Sequence, residues 1–89
     1  MKSIRTLENA IDVVYNRSIE YPNLHDNFND IAGHWSIILG HPVSADQVVL
    51  CMIALKLSRL SRNPQHADSW VDVAGYSACG AEISGAEGE

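Results

Sequence analysis

Ser44-Ala45-Asp46-Gln47-Val48-Val49-Leu50-Cys51-Met52-Ile53-Ala54-Leu55-Lys56-Leu57-Ser58-Arg59 reads as one helix from its first residue. Ser44 and Gln47 stand three apart, the spacing at which a hydroxyl and an amide cap each other's backbone N–H. Val48 to Leu55 is apolar all round, the pattern of a central helix covered on several sides. Polar character returns only at Lys56, Ser58, Arg59 and Arg62.

Downstream, Asn63-Pro64-Gln65 forms a short turn into a fourth helix. That helix starts near His66 to Asp68, where an acid suits the helix dipole. It continues through Trp70, Val73, Ala74 and Ser77 to about Ile83. Gly75 and Gly80 lie inside it, each costing about 1 kcal/mol relative to alanine, so close helix approach is the expected compensation. Residues 84–89 are small and acidic and are expected to be a disordered tail on a single helical domain, 1–83.

Upstream, Phe28, Ile31, Ala32, Trp35, Ile38 and Leu39 follow helical periodicity from about Asp26, and Gly40 and Pro42 end the segment. Tyr21-Pro22-Asn23 is a turn. A first helix is expected from Thr6, as its N-cap, to Asn16, with Leu7, Ile11, Val14 and Tyr15 along one stripe. Together these predict an all-α, compact antiparallel bundle of about four helices.

Eighty-nine residues give one domain with a thin core. With 46% hydrophobic and only 19% charged residues, some apolar surface should remain after the monomer folds, so a homodimer or higher homo-oligomer is expected. A net charge of −5 with six basic residues argues against duplex nucleic acid as partner. The apolar run is far shorter than the roughly 20 residues that span a bilayer, and the N-terminus lacks an apolar signal region, so no membrane association is expected. Cys51 and Cys79 sit in apolar helical stretches and read as buried thiols of a reducing compartment, with the cytoplasm as the simple inference. Trp35 and Trp70 occupy core-type positions.

The chemistry concentrates where the third and fourth helices meet. Lys56 and Arg59 share one helix face, and Asp68 and Asp72 share another. Arginine offers a planar fork and lysine a point charge, both suited to phosphate. Two carboxylates one turn apart suit Mg²⁺ completed by water and phosphate oxygens. The same four groups equally well satisfy one another as a structural ion-pair layer, with Asp68 as an N-cap. Asp26 and Asp30 form a second acid pair, and Asp26 also suits a helix cap. Asn27 suits a base or phosphate contact or local capping, and Tyr76 suits base stacking or packing. His66 suits ligand orientation or capping. The four histidines have no zinc-ligand spacing.

Asp26-Asn27-Phe28 with Ile31-Ala32 and Trp35, then Lys56-Leu57-Ser58-Arg59, His66-Ala67-Asp68-Ser69 and Asp72-Val73-Ala74-Gly75-Tyr76, resemble a family of small uncharacterised helical proteins of tailed phages and prophages. The resemblance covers Arg17 to Glu82 and implies a bacterial host cytoplasm. A looser similarity is to MazG-like nucleotide pyrophosphohydrolases, but their paired glutamates on two helices have no counterpart here.

The expected function is binding of a small phosphorylated nucleotide in a helix-lined, intersubunit pocket. Lys56 and Arg59 would hold phosphate, Asp68 and Asp72 would position the cations or a metal, and Asp26 or Asn27 would touch the base or ribose. A phage origin, implied by the resemblance, makes sequestration of a nucleotide immune signal the concrete form. The rivals are a Mg²⁺-dependent pyrophosphohydrolase using Asp26, Asp30, Asp68 and Asp72, and a non-catalytic structural interaction module.

Overall fold

The computed structural model describes residues 1–86. It contains four helices, α1 (Lys2–Glu20), α2 (Leu24–Leu39), α3 (Ala45–Arg62) and α4 (Ala67–Ser84), and no strand among the described residues. No helix among them is long and apolar enough to cross a membrane. The capping box is complete: Gln47 N donates to Ser44 Oγ at 3.4 Å, and Ser44 N donates to Gln47 Oε1 at 2.9 Å. Gly40 ends α2 with φ +74°, a conformation that penalises any Cβ.

Other helix ends differ from expectation for local reasons. Thr6 lies inside α1 rather than capping it, its hydroxyl donating to the Lys2 carbonyl at 3.1 Å. The helix runs on to Glu20 and stops at Tyr21, the residue that Pro22 bars from helical geometry. Asn23, not Asp26, caps α2, its Oδ1 accepting from Asp26 N at 3.0 Å. His66, not Asp68, caps α4, its Nδ1 accepting from Ser69 N at 3.3 Å. At the far end, Ser84 still belongs to α4 and Gly85 caps it with φ +73°. Of the expected tail, residues 87–89 lie outside the described residues.

The helix that carries the packing is α4, not α3. It packs against α1, α2 and α3, and its small residues allow this. A Cβ at Gly80 would stand 3.1 Å from Val49 Cγ1, and one at Gly75 would stand 3.7 Å from Val14 Cγ2. Val49 near the start of α3 meets Gly80 near the end of α4, while Lys56 farther along α3 reaches Asp72, so these two helices are antiparallel. The pair α1 and α4 departs from the expected antiparallel arrangement. Val14 meets Gly75, and one turn later Arg17 and Ser18 share a hollow with Cys79 and Glu82, so the two helices advance in the same sense. The main core gathers around α2, where Phe28 and Ala32 cluster with Ala45, Val48 and Val49 of α3 and Cys79 of α4.

That core is thin. Leu50 (63% exposed) and Leu55 (60%) on α3 face solvent, so this helix is half-covered rather than covered all round. Cys51, read as buried, is exposed, while Cys79 is buried as expected. Trp70 is 48% exposed and holds the preceding turn through its Nε1–H, which donates to the Pro64 carbonyl at 2.9 Å. Trp35 packs partly buried against the main core.

Candidate functional site

Of the four charged groups expected to converge, two do. Lys56 Nζ lies 3.0 Å from Asp72 Oδ2, with side chains 19% and 32% exposed. Arg59 and Asp68 are exposed, and neither makes an ion pair among the described residues. The two that meet, Lys56 and Asp72, are the members of each pair farther from the connecting turn. His66 is occupied, its Nδ1 lying 2.8 Å from the hydroxyl of the fully buried Ser69 as well as capping α4.

Asp72 also borders a hollow of about 90 Å³ between α1 and α4, lined with it by Val13, Val14, Arg17, Gly75, Tyr76 and Cys79. Half-buried Tyr76 thus stands on the same wall as Asp72, one turn along α4. A second hollow of about 310 Å³ continues from it between α1, the Tyr21–Leu24 turn and the end of α4, with His25 and Glu82 at its rim. Val14, Arg17 and Cys79 line both, so together they form one groove along the α1–α4 seam.

Arg17, which the sequence reading passed over, is the central cation of this groove. Its Nη2 donates to Asn27 Oδ1, and its guanidinium lies 4.9 Å from the centre of the Phe28 ring and 5.2 Å from that of Tyr21. Its Nε is buried and has no protein partner. A buried unpaired N–H costs about 1–3 kcal/mol, so the groove's central cation is held there at a cost. One signal was present in the sequence. Arg17 is three residues after Val14 and seven after the buried Ala10, so a cation occupies a core position of the α1 stripe.

Asn27 is thus engaged by Arg17, its Oδ1 accepting from the guanidinium. Asp26 stands elsewhere, in an open depression with Glu20, Asp30, Tyr21 and Asn27. The four acids of the hydrolase reading are split between this depression and the α3–α4 side. Among the described residues no three His, Cys, Asp or Glu side chains come together closely enough to hold a metal ion. Cys79 offers no nucleophile: burial pushes its thiol pKa up, Arg17 pulls it down to a lesser degree, and Glu82 adds to the rise. Such a thiol stays protonated at neutral pH. The groove can hold an anion by charge and hydrogen bond and can place hydroxyls against Asp72.

A family model described as "Domain of unknown function (DUF6378)" matches residues 5–84. The Gene 55 protein of Mycobacterium phage D29 is 35% identical over 74 residues, covering 82% of this chain and 49% of that protein. The chain thus spans about half the length of this curated relative. No solved structure matches it significantly.

Proposed function

The chain belongs to the DUF6378 family, and from that premise we propose that it is a non-catalytic, phage-type protein binding a small phosphorylated nucleotide in the α1–α4 groove. The observation that carries this reading is Arg17, a half-buried cation that lines both hollows. Guanidinium is the side chain best matched to phosphate oxygens. The larger hollow falls at the lower end of the roughly 300–1,000 Å³ typical of ligand clefts. With one half-buried cation lining it and a net charge of −5 on the chain, the groove favours a singly phosphorylated or cyclic nucleotide over a triphosphate. Asp72, already neutralised by Lys56, suits ribose hydroxyls, and Tyr76 or Tyr21 offers a face for the base. The phosphate-holding role expected of Lys56 and Arg59 thus passes mainly to Arg17. For a protein with a phage-encoded relative, sequestration of a host nucleotide signal is the biological form of this reading.

Calorimetry of the purified chain with mono-, di-, tri- and cyclic nucleotides, with and without Mg²⁺, tests it. Saturable binding abolished by Arg17→Ala, with the ligand recovered intact after denaturation, is the expected result. Absence of binding across the panel, or binding lost in Arg59→Ala but kept in Arg17→Ala, overturns it. Turnover of the ligand would favour the pyrophosphohydrolase, a reading that the separation of Asp26 and Asp30 from Asp72 weighs against.

A second reading, the structural interaction module, draws on the closure of Lys56 upon Asp72. Under it the pair serves only to join α3 and α4, and the nucleotide panel is silent.

A further inference from the structure

The outer face of α1 carries a second, independent message. Ile4 (53% exposed), Leu7 (55%), Ile11 (66%), Tyr15 (65%) and Ile19 (66%) all face solvent. At 3.6 residues per turn these five fall within an arc of about 120°, which also takes in the exposed Glu8 and Ser18. The residues that dock α1 on the rest of the protein, Ala10, Val14 and Arg17, centre roughly a third of a turn away. The helix is therefore apolar on two faces, and the described fold uses one of them.

We infer that this outer face is the contact between two copies of the chain, packed as an antiparallel α1–α1 pair about a two-fold axis at Ile11. Two observations select a second copy as the occupant. The stripe is nearly symmetric about Ile11: Leu7 and Tyr15 each lie four residues away, and Ile4 and Ile19 lie seven and eight away. An antiparallel pair therefore sets Ile11 against Ile11, Leu7 against Tyr15, and Ile4 against Ile19, matching large apolar groups at these three levels, with Glu8 between them. A two-fold contact demands such self-complementarity. The size also fits. The five residues expose roughly 500 Å², so two copies would bury roughly 1,000 Å², the lower limit for a specific association.

Sedimentation equilibrium of the full chain over a range of concentrations provides the first test. The wild type should be a dimer, and Ile11→Asp should shift it to monomer while leaving the helical circular dichroism and thermal midpoint of the monomer intact. Leu50→Asp, on the exposed side of α3, is the control and should leave the dimer in place. Direction is read by oxidative cross-linking in a Cys51→Ser background. A mixture of Leu7→Cys and Tyr15→Cys chains should form disulfide-linked heterodimers, whereas Leu7→Cys alone should link poorly. A monomeric wild type would leave the face to a different protein and overturn the proposal. So would a dimer lost in Leu50→Asp but kept in Ile11→Asp, or efficient linking of Leu7→Cys to itself.

Discussion

Lys56 Nζ and Asp72 Oδ2 lie 3.0 Å apart and join α3 to α4 at a half-buried level. Such a pair should count for more than an exposed one and less than a fully buried one. Asp72→Ala is expected to cost about 1–2 kcal/mol in urea denaturation, whereas exposed Asp68→Ala should stay within about 0.5 kcal/mol. Equal losses at the two positions would show that both acids are paired in solution.

The Arg17–Asn27 hydrogen bond predicts a coupled pair across the α1–α2 turn. Asn27→Ala leaves the guanidinium short of its acceptor and should cost about 1–2 kcal/mol. In an Arg17→Leu background the same substitution should cost much less, because the charge that needed the acceptor has gone. A double-mutant cycle by chemical denaturation reads the coupling, and additive losses would refute it.

Gly75 and Gly80 should respond to alanine in opposite ways. At Gly75 the new Cβ meets Val14 at an ordinary 3.7 Å, so the gain in helix propensity, up to about 1 kcal/mol, should appear as added stability. At Gly80 it would press to 3.1 Å against Val49, a side chain buried in the main core, and the gain should be cancelled or reversed. Thermal melts of the two variants give the comparison. Gly75→Ala also narrows the smaller hollow, so it should weaken nucleotide binding even as it stabilises the fold.

The two thiols should separate by reactivity and by pH. Exposed Cys51 should alkylate readily, and Cys79 only on unfolding. Burial raises the folded pKa of Cys79. Its contribution to stability is therefore fully present below about pH 8.5, the ordinary thiol value, and is lost as pH rises through the folded pKa. Cys79→Ala should flatten this alkaline decline in stability relative to wild type, and an unchanged slope would contradict the assignment.

Local rules located most of the fold. The Ser44–Gln47 box, the Gly40 cap and the Tyr21-Pro22 stop act within a few residues, so the sequence exposes them directly. What it hid depends on which faces meet. Leu50, Cys51 and Leu55 look like core because hydropathy reports what a side chain prefers rather than what covers it. The run of glycine and alanine in α4 announced close approach, but not that α1 would come from one side and α3 from the other. Lys56 with Asp72 was legible because both lie beside one short turn. Arg17 with Cys79 was not, because sixty-two positions of chain separate them and only the fold brings them to one groove.

The position of α4 bears on how the protein is made. On the ribosome, α1 emerges long before the helix it docks against, and α3 is complete before its main partner appears. Until Ala67–Ser84 has cleared the exit tunnel, the sides of α1 and α3 that it will cover stay open, and the α2–α3 contact is the main one that can form among the earlier helices. Native structure should therefore form late and cooperatively during synthesis, and chaperones should meet this nascent chain at its most vulnerable just before the fourth helix arrives.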